Sequence, residues 1–359
     1  MSTEERYTNR PDPLKWDVTQ SFDTTFRWEY DDGRDKLLGL YDKGKRLQWD
    51  AADRIDWSRD LDPGNPAGLP DEVLGIYGSD IWEGLDDAAR TEVRRHFQSW
   101  QLSQFLHGEQ GALLCTAKIV QQVPHMDAKF YASTQVIDEA RHVEAYSRLL
   151  HEKYDLVYPI NPYLKALLDD TLTDSRWDIT YLGMQVLIEG VALAAFGMIR
   201  DHAQNELVSS VTAYVMQDEA RHVAFGRLAL RDFYPELTQK ERDEREEFVV
   251  EGCYLLRDRF LGDEVWKTLG LPLDACKTAT DRSEFMKMYR AALFTRIVPT
   301  IKDIGLWGPR IQKAYADMGI LEYADTDLEA LMANDEQIAL EFDMRRRNVE
   351  EVAALARAS

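Results

Sequence analysis

Asp138-Glu139-Ala140-Arg141-His142-Val143 recurs, residue for residue, as Asp218-Glu219-Ala220-Arg221-His222-Val223. Each copy contains Glu-x-x-His, and residues three apart on an α-helix share a face. Glu139 with His142, and Glu219 with His222, therefore point a carboxylate and an imidazole at one spot. Each copy has a further glutamate upstream at the same remove: Glu109 lies 30 residues before Glu139, and Glu189 lies 30 before Glu219. Two antiparallel helices joined by a tight turn bring residues level when both are equally far from the turn. The first midpoint is Pro124, where a helix should break. The second is Gln204, in the polar run His202-Ala203-Gln204-Asn205. At 1.5 Å rise per residue each arm is roughly 21–22 Å long, so four helices can present these side chains at one height. Six candidate metal ligands converge: Glu109, Glu139, His142, Glu189, Glu219 and His222.

The first core helix is expected from about Asp86 or Asp87 to Gln122. The second runs from about Met126 to His151, the third covers about Ile179–Ala203, and the fourth spans roughly Glu206–Tyr234, ending before Pro235. A linker at Asn161–Trp177 carries a short helix at Tyr163–Thr171. Small residues crowd after Glu189: Gly190, Ala192, Ala194, Ala195 and Gly197. Such a run leaves space for a substrate, lets the helix bulge, or permits close helix packing. Residues 1–80 form an aromatic-rich lead-in whose helix starts at Asp31–Gly33, and Asp62-Pro63-Gly64-Asn65-Pro66 is a loop by composition. After Pro235 helices are expected at Gln239–Phe260, Arg282–Ile304, Pro309–Asp317 and Asp327–Arg357. The fold class is all-α: a four-helix core at about 86–234, with the lead-in and a helical extension at 238–359 packed onto it as one domain over 1–359.

Bulk properties narrow the function. With 359 residues, 45% of them apolar, a large core is within reach. The net charge of −21 argues against nucleic acid or an anionic membrane as partner. Cys115, Cys253 and Cys276 are scattered, which disfavours iron–sulfur and structural zinc sites and suits a reducing cytoplasm. Met-Ser-Thr-Glu-Glu-Arg at the start lacks the apolar run of a signal peptide. No stretch is expected to reach the ~20 apolar residues of a membrane span.

Around the six candidate ligands stand further candidates. A ligating histidine donates its other ring N–H to a carboxylate or carbonyl, and Asp138 and Asp218 are expected to serve, reaching across between helices. Arg141 and Arg221 are placed to pair with those aspartates at i, i+3. Tyr146, one turn after His142, sets a phenol near the ligands, as a core residue or as a redox-active one; its counterpart in the second half is Gly226. Phe105, Leu113, Gln135, Gln185, Leu193, Phe196 and Met216 are candidate lining of a substrate pocket. Carboxylates and imidazoles without thiolates suit Fe(II), Mn(II) or Zn(II).

The paired Glu109…Asp138-Glu139-Ala140-Arg141-His142 and Glu189…Asp218-Glu219-Ala220-Arg221-His222 resemble the ferritin-like di-iron oxygenases and oxidases, which take one Glu from each of two helices and Glu-x-x-His from the other two. Among these the chain looks like multicomponent monooxygenase hydroxylases, aminobenzoate N-oxygenases and the small subunit of ribonucleotide reductase. It departs from each. Val215 stands where the N-oxygenases have an additional histidine ligand. Leu193 stands where the hydroxylases have threonine. Glu109 stands where the reductase subunit has aspartate, although Tyr146 matches its radical tyrosine. The resemblance implies a dinuclear site with Glu109, Glu139 and His142 at one metal, Glu189, Glu219 and His222 at the other, and Glu139 and Glu219 bridging. It implies two Fe ions (or Mn/Fe), O2 as cosubstrate, a small organic substrate, a ferredoxin or reductase as electron donor, and a homodimer. A radical-forming or ligand-binding oxidase using Tyr146 is the rival within enzymes. A ferroxidase or metal-storage protein, and a scaffold subunit, are the rivals outside that reading.

Overall fold

The computed structural model describes residues 6–344, apart from 10, 12, 13, 32, 339, 342 and 343. The described residues form helices and connecting turns, with one isolated β-bridge between Tyr7 and Val157. In chain order the helices are α1 (Asp35–Arg46), α2 (Ala51–Arg54), α3 (Asp80–Glu83), α4 (Asp87–Gln122), α5 (Met126–Arg148), α6 (Pro162–Thr173), α7 (Trp177–Tyr181), α8 (Glu189–His202) and α9 (Glu206–Phe233). They continue with α10 (Gln239–Asp258), α11 (Asp263–Thr268), α12 (Leu273–Arg282), α13 (Glu284–Ala292), α14 (Ile297–Asp303) and α15 (Pro309–Asp317), and a last helix covers 328–338.

The four core rods are α4, α5, the α7–α8 rod and α9, and each end has a local cause. Asp86 caps α4 by accepting from the Ala89 N–H at 2.8 Å. Val123 is extended ahead of Pro124, so the chain reverses there and α5 returns along α4. Asn205 caps α9 by accepting from the Leu207 and Val208 N–H groups. Its turn, at 203–205, is the second reversal. The rod from Trp177 to His202 is continuous over 26 residues. Against expectation this rod is long and apolar enough to cross a membrane. However, 83% of its most apolar window lies inside the protein, as befits the central helix of a bundle.

The small-residue run after Glu189 is regular helix. The widened turn, with i→i+5 bonding, falls just before it, at Leu182–Ile188, so Glu189 is the first residue beyond it. A second widened turn, Leu149–Tyr154, closes α5. Gly190 serves packing, because a Cβ there would stand 2.8 Å from Ile297 Cγ1 on α14.

Outside the core, α1 lies across α5 and α9, α6 and α15 pack on α10, and α14 packs on α9. The expected helix Arg282–Ile304 is two helices, α13 and α14. Pro299 is the reason: it is tolerated in the first turn of α14 but not within a continuous rod. Ser283 starts α13 by accepting from the Met286 N–H. The lead-in helix starts at Asp35, later than expected, and α11 and α12 were not anticipated. Of the expected C-terminal helix, the part beyond 344 lies outside the described residues, as do Met1–Glu5.

Candidate metal centre

All six candidate ligands are at most 5% exposed: Glu109 on α4, Glu139 and His142 on α5, Glu189 on α8, Glu219 and His222 on α9. Glu109, Glu139, His142 and Glu219 offer atoms within 4.8 Å of one another, and Glu139, Glu189 and His222 do the same. Glu219 thus gathers with the Glu109 group, and Glu139 belongs to both groups.

The two glutamates of the repeat stand between the two imidazoles. Glu139 lies 3.6 Å from His142 Nδ1 through Oε2 and 3.1 Å from His222 Nδ1 through Oε1. Glu219 lies 3.1 Å from His142 Nδ1 through Oε1 and 3.5 Å from His222 Nδ1 through Oε2. Glu109 and Glu189 close the two ends; Glu109 Oε2 is 3.2 Å from His142 Nδ1.

Both histidines turn Nδ1 to the centre and Nε2 away. His142 Nε2 meets Asp218 Oδ2 at 3.1 Å, and His222 Nε2 meets Asp138 Oδ2 at 3.3 Å. Each aspartate therefore backs the histidine of the other repeat. A proton donated outward leaves the Nδ1 lone pair facing inward, the tautomer a metal needs. Arg141 donates to Asp138 at 2.6 Å and to Asp218 at 2.9 Å, and Arg221 donates to Asp218.

Two residues absent from the sequence reading complete this layer. Gln48 donates to Asp138 at 2.7 Å and accepts from Arg141 at 2.7 Å. Trp49 Nε1 donates to Asp218 at 2.8 Å, and its ring lies 4.7 Å beneath the Arg141 guanidinium. They come from the segment between α1 and α2, 90 residues from Asp138 and 169 from Asp218, and no local motif announces them.

The electrostatics are those of a site built for cations. Burial pushes Glu109 up to about 8, with the charge of Glu219 adding to it. Burial also raises Glu189, again helped by Glu219. At Glu139 burial pushes the same way, but the two imidazoles outweigh it and hold this carboxyl below the usual range. Burial opposes the charge on both histidines, and the surrounding carboxylates overcome it and raise them. Glu139 Oε2, Glu189 Oε2, both oxygens of Glu219 and His222 Nδ1 lack any hydrogen-bond partner. Orphaned buried acceptors around one point are costly unless something positive sits among them. Two divalent cations balance four carboxylates and leave both imidazoles neutral, so the residues present fit a pair of metal ions.

The other sequence candidates divide. Phe105, Tyr146 and Phe196 form an aromatic wall: Phe105 is 5.7 Å from Tyr146 and 4.6 Å from Phe196, and Tyr146 is 5.9 Å from Phe196. Burial raises the Tyr146 phenol far above its ordinary range, with the charges of Glu109 and Glu219 adding to it. Leu193 lies on the flank of α8, in a small chamber under helix 328–338 with Ala220, Val223, Arg227, Arg296 and Met332. Leu113 is only half-buried and lies outside the apolar core, because it sits on the outer flank of α4. Met216 turns its sulfur to Arg200 at 3.2 Å. Gln135 and Gln185 are hydrogen-bonding groups rather than apolar lining: Gln135 Nε2 donates to Glu139 at 2.8 Å and to Glu189 at 2.9 Å, and Gln185 Nε2 faces Gln135 Oε1 at 3.5 Å.

No curated protein matches the chain. Among solved structures, it is similar to a Synechococcus protein with aldehyde deformylating oxidase activity, at 15% identity and a TM-score of 0.43, over 65% of this chain and 100% of that one. It is also similar to a variant R2-like ligand-binding oxidase with an anaerobically reconstituted Mn/Fe cofactor, at 16% identity and a TM-score of 0.46, over 78% of this chain and 100% of that one. The model of the p-aminobenzoate N-oxygenase AurF family matches residues 31–305, which span the lead-in helix, all four core rods and the α14 layer. The chain therefore belongs to the p-aminobenzoate N-oxygenase AurF family, and it is a di-iron oxidoreductase.

Proposed function

We propose that the protein is an O2-activating oxygenase or oxidase of a small organic molecule. On this reading Glu109, Glu139, His142, Glu189, Glu219 and His222 hold two iron ions. What supports it is one observation: Glu139 and Glu219 each stand between both imidazoles, and Glu139 Oε2 and both oxygens of Glu219 accept no hydrogen bond. Two iron ions there supply redox equivalents for reducing O2, and a ferredoxin or reductase restores them. An aromatic amine such as p-aminobenzoate, taken from the family's name, is the first substrate to test. N-oxygenation would consume O2, two electrons and two protons per amine and release a hydroxylamine and water.

The chain's own residues have three tasks. Asp218 and Asp138 hold the imidazole tautomers and orientation. The aromatic wall of Phe105, Tyr146 and Phe196 keeps water from the Glu109 end. Arg141 donates to both aspartates and Arg221 to Asp218, and Asp218 is held well below the usual carboxylate range: burial opposes this, and Arg221, His142 and Arg141 overcome it. A second reading rests on Tyr146. Its buried phenol beside Glu109 and Glu219 suits a one-electron donor. The three buried, free cysteines fit a reducing cytoplasm, and a homodimer is the assembly we expect.

The test is an anaerobic Fe(II) titration of the full chain, then exposure to O2 with optical and Mössbauer detection. Two irons per chain that oxidise together support the proposal. One iron or none overturns it, and many irons per chain select a ferroxidase or storage role. A tyrosyl signal by EPR, lost in Tyr146→Phe, selects the radical reading.

A further inference from the structure

The two halves of the site are related by an 80-residue offset: Glu109 to Glu189, Glu139 to Glu219, His142 to His222. The same offset relates residues that differ. Gln135 answers to Val215, Gln185 to Phe105, and Gly226 to Tyr146. Two of the differences are an amide against an apolar or aromatic residue, and the third is a glycine against an aromatic one.

The amides form a directed chain. Gln135 is fully buried, and its Nε2 lies 2.8 Å from Glu139 Oε1 and 2.9 Å from Glu189 Oε1. An amide nitrogen carries two protons, one for each carboxylate. The reverse orientation would set a carbonyl oxygen against two carboxylates, so the neighbours fix the flip. Gln135 Oε1 then needs a donor, and Gln185 Nε2 faces it at 3.5 Å. Gln185 is seated by Gly226, where a Cβ would stand 2.4 Å from Gln185 Cβ. The glycine that replaces Tyr146 in the second half is what admits Gln185.

We propose that Gln135, held by Gln185 over Gly226, is a positioning residue that makes the two metal positions inequivalent. It ties one oxygen of Glu189 and leaves the other, which has no partner, for the metal beside His222. Glu189 is thereby fixed. Glu109 has Val215 at the related position and, among the described residues, no amide donor, so it is the carboxylate free to shift during turnover. The inference rests on Glu139 and Glu189 being metal ligands, and its test separates the two.

The test is anaerobic Co(II) titration of the full-length protein, followed by visible absorption, with Gln135→Leu and Gln185→Leu. Wild type binding two Co(II) per chain upholds the ligand reading; fewer overturns that reading and this inference together. With two bound, Gln135→Leu is expected to weaken one ion by about 10- to 100-fold, the usual effect of removing a group that orients a ligand. The other ion should keep its affinity and its absorption bands. Gln185→Leu should weaken the same ion by less, and it serves if Gln135→Leu does not fold. The position is identified by double-mutant cycles: Gln135→Leu should add little to Glu189→Ala and its full effect to Glu109→Ala. Equal loss at both positions, or no loss at either, overturns the proposal.

Discussion

Asp218→Asn isolates the charge behind His142 while keeping the shape. In the native chain this fully buried carboxylate accepts from Trp49 at 2.8 Å, Arg141 at 2.9 Å, His142 at 3.1 Å and from Arg221. Every neighbour is a donor. An Asn amide offers one acceptor and presents its own N–H2 to donors, and two guanidiniums lose their shared counter-charge. Breaking a buried pair from one side costs about 3–5 kcal/mol, whereas an exposed pair is worth about 0–1 kcal/mol. Asp258→Asn, which only loosens the half-exposed contact to Arg257 at 2.6 Å, is the matched control. Urea unfolding of the metal-free full chain should show a loss of about 3–5 kcal/mol for Asp218→Asn and under about 1 kcal/mol for Asp258→Asn. Metal affinity should fall by about 10- to 100-fold in the first and not in the second. Asp218→Asn within about 0.5 kcal/mol of wild type, with unchanged metal affinity, would refute the account of this layer as the support of the histidines.

Glu109→Ala and Glu189→Ala should each lower occupancy toward one metal per chain, measured by metal analysis after desalting; two tightly held ions in both variants would remove these residues from the ligand set. Tyr146→Phe should leave metal stoichiometry unchanged, because its ring packing against Phe105 and Phe196 is retained; if turnover also survives, the radical role is excluded. The metal-free chain should lose stability as pH rises. Glu109 is raised to about 8 when folded, from 4.5, so its contribution is complete below about 4.5 and is lost through 8. Glu109→Gln should flatten that slope in unfolding experiments between pH 5 and 8. Asp335→Ala should free helix 328–338 to proteolysis while the core stays intact, because Asp335 is the buried residue of that helix and it pairs with Arg296 at 2.5 Å.

The core was readable because its information is local and periodic. Glu-x-x-His puts two ligands on one face, and equal 30-residue arms fix their height. Pro124 and Asn205 mark the turns by well-understood chemistry. The starts of α4, α5 and α9 and the end of α4 accordingly fall where the sequence placed them. The outer helices were harder. Pro299 reads as a breaker or as a first-turn residue depending on where the helix begins, and only packing on the bundle decides that. The widened turn before Glu189 was equally hidden. Small residues after Glu189 drew the eye, yet they admit neighbours such as Ile297, while the extra residue per turn lies in the apolar run Leu182–Ile188, whose composition is ordinary for a buried helix.

Repetition also misled where the halves diverge. The duplicated hexapeptide invites symmetric roles, whereas Gln135 and Gln185, candidates for pocket lining, also make hydrogen bonds that have no counterpart in the other half. Which of two faces a buried amide turns inward is set by its partners, and besides Glu139 those of Gln135 are 50 and 54 residues away. Gly226 carries the same lesson. Alone it is a weak point in a helix; opposite Gln185 it is the one side chain small enough for that amide to reach its place. The two ends of the cluster differ all the same: an amide donates to Glu189 at one end and an imidazole faces Glu109 at the other. In this chain the difference is carried by three pairs of residues that the repeat leaves unmatched, not by the six that it conserves between its halves.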